Sequence, residues 1–236
     1  MCTRYHLSQE HHREILAELG IAAPAGFASR YNIAPNSAIP VVRPRPGRGR
    51  ETASLRWGLT PAWARADEPA ARLVNARAET LAAKPSFRDA LRARRCVMPI
   101  TGFYEWETVG REKRPWYFRP GDGRRLALAG LWETWRAPGG AAVESCAVIT
   151  TVPNAVMRPI HDRMPVLLSA DECAAWLGPD GDAPATLARL LRPPPDGALH
   201  AIAVGSHVSN VRHEGPACLA PSAPPDTGEA QLSLGL

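Results

Sequence analysis

The chain has 236 residues, 45% hydrophobic and 22% charged, enough to bury a sizeable core as one large domain. No run of about 18 apolar residues occurs, which excludes a spanning helix, and the start, MCTRYHLSQEHHREI, lacks the apolar stretch and cleavage site of a secretory signal. The net charge is +5 and the cations are nearly all arginine, with Lys84 and Lys113 the only lysines; guanidinium forks match phosphate oxygens, so nucleic acid is a partner this balance suits.

Gly (19) and Pro (24) are abundant enough to mark a loop-rich fold. Ser8 is placed to cap a helix through Leu19, in which Ile15, Leu16 and Leu19 share a face and which Gly20 closes. Ile39–Val42 reads as a strand, followed by RPRPGRGR (Arg43–Arg50), expected as a mobile hairpin tip. Ser54–Trp57 and Cys96–Ile100 read as strands, with a helix between them from a Ser86 cap to about Arg94. Trp116–Arg119, Leu126–Leu131 and Val143–Thr150 follow as strands, with turns at Gly121–Gly123 and Pro138–Gly140. Val166–Leu168 and His200–Val204 complete the set, flanking short helices at 170–177 and 184–191 that Pro193–Pro195 brings to an end. The pattern predicts an α+β fold with a curved, barrel-like antiparallel β core and short peripheral helices. It further predicts a domain over residues 1–215 and an unfolded tail, rich in Pro, Ala and Ser, over 216–236.

Cys2, Cys96, Cys146, Cys173 and Cys218 form no CxxC pair, which argues against a zinc ribbon or a disulfide framework and for a reducing, cytoplasmic setting. The histidines, including His11, His12, His207 and His213, lack metal-ligand spacing, so neither a metal nor another cofactor is expected. Cys2 follows the initiator Met in a context that favours Met removal. Removal leaves a free α-amine titrating near about 8 and a thiol near about 8.5 on one residue. An amine adds to an aldehyde to give a Schiff base, and a neighbouring thiol can close a five-membered thiazolidine ring. Glu105, between Tyr104 and Trp106 after an apolar strand, is either a partly buried proton shuttle or a surface carboxylate at a strand end. His161 is either a proton-transfer group or a histidine bonded to Asp162 or to backbone.

An ordered series of segments narrows these readings. After MCTR come SRYNIAP (Ser29–Pro35), WGLTPAW (Trp57–Trp63), VNARAET (Val74–Thr80), RRCVMPITGFYEW (Arg94–Trp106), IHDRMPV (Ile160–Val166) and SNVRHEG (Ser209–Gly215). Over Cys2 to about Gly215 the chain resembles the SRAP family, the SOS-response-associated peptidase domain. The resemblance implies recognition of abasic sites in single-stranded DNA, a thiazolidine cross-link through Cys2, and autocatalytic removal of the initiator Met. It implies Cys2 as nucleophile, Asn75 and Arg77 at the site and the DNA backbone, and Glu105 as acid/base. It also implies His161 beside the lesion, Arg163 and Arg4 on phosphates, and Pro35 and Trp63 supporting or wedging flanking bases. Trp63 and Trp106 offer faces for base stacking. Two positions depart from the family pattern: Thr3 stands where Gly is usual, and Ala64 where some relatives carry a second aromatic.

The tail ends QLSLGL, with Gln231, Leu232, Leu234 and Leu236 resembling the short peptides that dock replication proteins on the sliding clamp. The partners expected are therefore abasic single-stranded DNA and a clamp, with no membrane and a monomeric protein. Two other readings stay open at this level: a cysteine protease acting in trans with Cys2 and His161, and a non-catalytic reader of single-stranded or modified DNA held by its arginines and Trp63.

Overall fold

Thirteen strands and four helices lie among the residues described in the computed structural model, namely 2–45, 47–65, 72–121, 123–137 and 139–222. In chain order they are β1 (Tyr5–Leu7), α1 (Gln9–Glu18), β2 (Arg30–Ile33), β3 (Ala38–Arg45), β4 (Gly49–Trp57), β5 (Asn75–Arg77), α2 (Arg88–Ala93), β6 (Arg95–Ile100), β7 (Gly102–Val109) and β8 (Glu112–Pro120). They continue with β9 (Leu126–Arg136), β10 (Ala142–Thr151), β11 (Met164–Pro165), β12 (Leu167–Leu168), α3 (Ala170–Leu177), α4 (Pro184–Leu190) and β13 (Leu199–Ala203).

Five strands close on themselves: β10 pairs β4, then β3, β6 and β9 follow, and β9 returns to β10. Closure removes the exposed edges that an open sheet would carry. The predicted barrel-like core is therefore present, with one difference: β10 runs parallel to β4 and to β5, so the sheet is not wholly antiparallel. A second sheet of five strands has the order β13-β8-β7-β1-β2.

The period-2 alternation of the barrel strands sorts their side chains into two cores. Val42, Val97, Ala129, Leu131, Ala147 and Ile149 face outward onto α1, α2 and α3, where Ile15, Leu91 and Trp176 meet them. Their neighbours Val41, Cys96, Met98, Leu128, Cys146 and Val148 face the other way and pack with Tyr5, Leu7, Ile33, Phe103 and Phe118 of the second sheet. Each of the Val, Leu, Ile, Met and Phe side chains, fully buried, stabilises by about 1.5–3 kcal/mol. All five cysteines are buried and unbridged, and no helix among the described residues is long and apolar enough to cross a membrane.

Several boundaries differ from expectation. Ser8 does cap α1, its Oγ accepting from His11 N–H at 3.1 Å, but α2 is capped at Phe87, not Ser86. The Arg43–Arg50 insert is no loose tip: β3 and β4 run into it in register. Arg43 there bonds Glu51 at 2.9 Å and Glu144 at 2.8 Å and lies over the Trp132 ring. The packed chain also continues past position 215, because Pro216–Leu219 forms a 3-10 turn that buries Cys218 and Pro221 bridges to Val204. Residues 223–236, including the QLSLGL peptide, lie outside the described residues.

Candidate active site

The short strand β1 brings the start of the chain to Glu105. It pairs antiparallel with β7 through Tyr5 opposite Phe103 and His6 opposite Gly102. Tyr104 N–H donates to Arg4 O at 3.0 Å, which carries the ladder one residue further towards Cys2. Glu105 is thus an interior member of a strand in the second sheet, not the end of the Cys96–Ile100 strand.

The electrostatics tie three predicted residues together. Cys2 is fully buried, and burial first, then the Glu105 charge, push its thiol far up, against the amino-terminal charge and the Arg4 amide. The thiol is therefore protonated at neutral pH. Glu105 is 3% exposed, and burial raises its carboxyl to about 7 while the amino-terminal charge opposes the rise. His161 is lowered, by burial first and then by the same amino-terminal charge. A carboxyl poised near neutrality and a neutral imidazole are groups that general acid–base chemistry can use.

His161 sits in the loop between β10 and β11. Asn154 shapes that loop, its Oδ1 accepting from Met157 N–H at 3.1 Å, and His161 N–H returns to Met157 O at 3.0 Å. The ring's Nδ1 accepts from Arg163 N–H at 3.0 Å and lies 2.9 Å from Asp162 Oδ1. Nδ1 thus faces both a donor, the Arg163 amide, and an acceptor, Asp162; with the amide bond made, the neutral ring carries its proton on Nε2. Asn75 stands opposite Val148 where β5 runs beside β10, and its Oδ1 is buried with no partner among the described residues. A buried acceptor left open in this way is suited to an incoming donor.

The residues expected on DNA divide into two groups. Arg77 ends β5 and is exposed, and Trp63 is 64% exposed, the one aromatic among the exposed large hydrophobics of the described residues. Arg4 and Trp106 face inward. Arg4 Nη1 donates to Asn32 Oδ1 and Val208 O, both at 2.8 Å, and its guanidinium lies 5.4 Å from the Trp106 ring. Trp106 Nε1 donates to Ser209 Oγ at 3.0 Å. Arg163 is 12% exposed and holds Glu79 with two bonds, at 2.8 and 2.9 Å. Pro35 precedes Asn36, whose positive φ of 70° turns the chain towards Trp57. Ala64 is buried, and its backbone carbonyl accepts from Trp135 Nε1 at 2.7 Å.

Two residues within the quoted motifs carry geometry that the sequence reading left unassigned. Asn32, from SRYNIAP, donates to Val208, Asn210 and His213 carbonyls at 3.2, 3.0 and 2.9 Å and so moulds the 208–213 segment. Glu79, from VNARAET, is the partner of Arg163. The sign available beforehand was an acid two positions after an arginine at the site; its partner, 84 residues away, was not readable.

Among the described residues no three His, Cys, Asp or Glu side chains converge as metal ligands would. The family model described as SOS response associated peptidase (SRAP) matches residues 1–211. The chain is 37% identical to the abasic site processing protein YoqW of Bacillus subtilis, over 92% of this chain and 97% of that relative. It is 32% identical to the abasic site processing protein HMCES of Xenopus tropicalis, over 82% of this chain and 66% of that one. A solved structure of a Bacteroides thetaiotaomicron protein superposes with a TM-score of 0.81 at 26% identity, covering 93% of this chain and all of that one.

Proposed function

The chain belongs to the SOS response associated peptidase family, and from that premise we propose that it processes abasic sites in single-stranded DNA by a covalent cross-link at Cys2. The observation that carries this reading is the pairing of β1 with β7, which brings Cys2 within reach of the Glu105 charge.

Hydrolysis of the Met1–Cys2 bond turns the Cys2 amide nitrogen into an amine. That amine adds to C1′ of the ring-opened sugar, giving a carbinolamine. Glu105, titrating near neutrality, protonates the departing hydroxyl, so water leaves and an iminium remains. The Cys2 sulfur then bonds to the same carbon and gives up its proton, closing the thiazolidine. The net change is aldehyde plus aminothiol giving thiazolidine plus water. A raised thiol pKa suits this order, since the amine attacks first and the sulfur follows as a thiol that loses its proton late. Neutral His161, with Nε2–H as donor, serves the ring oxygen as the sugar opens.

Arg77 and Trp63 are the exposed contacts for phosphate and base, the stacking worth about 1–3 kcal/mol. Arg4 and Trp106 act one step removed, by holding the 206–209 turn. A protease acting in trans would instead turn over peptides other than its own amino terminus. The test is a heat-stable cross-link to an abasic oligonucleotide, located by peptide mapping. Cys2→Ala is expected to abolish it, and equal cross-linking by that variant removes Cys2 from the mechanism.

A further inference from the structure

We infer that Glu79 is a positioning residue for the capture reaction, locking Arg163 and, through the Arg163 backbone, the imidazole of His161. The inference rests on the proposed role of His161 and goes beyond it by naming what fixes the ring.

Three contacts support it. Glu79 lies in the turn Ala78–Thr80 that follows β5, so it is rigidly linked to Asn75 and Arg77. Its carboxylate receives both prongs of the Arg163 guanidinium, Nη1 at 2.8 Å and Nη2 at 2.9 Å, and Nη2 also donates to Thr150 O at 2.7 Å. A planar fork held at two carboxylate oxygens and a carbonyl has little rotational freedom. Thr150 is in register with Arg77 across the β10–β5 pairing, so the three bonds fasten the β10–β11 loop to the strand that bears Asn75. The same Arg163 donates its backbone N–H to His161 Nδ1 at 3.0 Å. With Arg163 fixed, that amide is fixed, and the ring is held in the Nε2–H form.

Without Glu79 the loop loses its anchor, and the Asp162 carboxylate, already 2.9 Å from Nδ1 and 88% exposed, competes with a loosened Arg163 amide for that nitrogen. The charged groups around the ring are Asp162 and Arg163 on its own loop, Lys113 from β8 and the amino terminus. Exposure of the loosened loop relieves the burial that is the first cause of the lowering and moves the imidazole back up towards its ordinary range.

The experiment compares Glu79→Ala and Glu79→Asp with the full-length protein. Cross-linking is timed at saturating abasic oligonucleotide across pH, and binding is measured on the same strand with a tetrahydrofuran site, which has no aldehyde. For Glu79→Ala the rate is expected to fall about tenfold, as small displacements of a reacting group do. Affinity for the tetrahydrofuran strand is expected not to weaken, and the acid limb of the rate profile to move to higher pH; Glu79→Asp regains most of the rate. An unchanged rate and limb, or a loss confined to affinity, overturns the inference and leaves Glu79 as a mere competitor for the phosphate that Arg163 would hold. Imidazole nitrogen NMR shifts give an answer independent of activity. Wild type is expected to show an unprotonated Nδ1 and Glu79→Ala a tautomer mixture, and identical spectra overturn the inference. Failure of wild-type cross-linking, by contrast, strikes the functional reading and not this one.

Discussion

Glu105 combines near-complete burial with a carboxyl whose protonated form is favoured, and that combination has a cost in stability. Its pKa rises from 4.5 to about 7 on folding, so between these values the folded chain holds a proton that the unfolded chain has released. Stability from this group is therefore complete at low pH and is lost as pH climbs through 7, by on the order of 3 kcal/mol in all. Glu105→Gln, which has no charge to desolvate, is expected to match wild type in thermal unfolding at pH 4 and to exceed it at pH 8, while its capture of an abasic strand slows. Melting curves at the two pH values decide the point: a gap that does not widen with pH contradicts the assigned carboxyl. A residue kept at a cost to the folded state is where function and stability diverge.

Among the elements, the hairpin of β7 and β8 and the three residues of β1 bear most directly on the site, because Cys2 reaches Glu105 only through their register. Gly102 sets that register. A Cβ there would lie 2.4 Å from Phe118 O and 2.5 Å from the Tyr117 ring and hydroxyl. Tyr117 in turn sits 3.0 Å from His6 Nδ1 on β1, and His6 stacks on Tyr31. Gly102→Ala is therefore expected to displace β1, lowering stability by about 1–3 kcal/mol and slowing cross-linking in a protein that is still folded. Denaturant titration alongside the cross-link rate checks both; full rate with wild-type stability shows that the contact relaxes elsewhere. These short elements were also the illegible ones. Leu126–Leu131 and Val143–Thr150 are long apolar runs whose strand character shows in the sequence. Tyr5–Leu7 and Asn75–Arg77, at three residues each, carry no period and exist only because β7 and β10 pair with them. Glu105 showed its flanking aromatics but not its sheet, since the break at Thr101 that separates β6 from β7 looks like a strand end.

At the scale of the whole molecule, the family and the barrel were legible because ordered motifs and apolar runs are local properties of the sequence. The wiring between distant segments was not: Arg4 to Val208 and Arg163 to Glu79 join residues 204 and 84 positions apart. Those contacts give two of the expected phosphate ligands partners within the protein, and under the proposed function the exposed Arg77 and Trp63 meet the strand. Under the proposed mechanism specificity comes from the chemistry of the aldehyde, which acts once the protein has been brought to the strand that carries it. We propose that the peptide Gln231–Leu236 supplies that address, its alternating Leu232, Leu234 and Leu236 being anchors for an apolar groove on a sliding clamp. Ser222 ends the described chain beside β13, and Asp226 and Glu229 are the charged side chains in the sequence beyond it. Deleting Gln231–Leu236 is expected to leave cross-linking of a free abasic oligonucleotide unchanged while abolishing retention on immobilised clamp; retention that survives the deletion defeats the proposal. Because tethering raises local concentration without adding contacts to the lesion, the deletion should also remove any rate advantage on clamp-loaded DNA, so the two assays must move together.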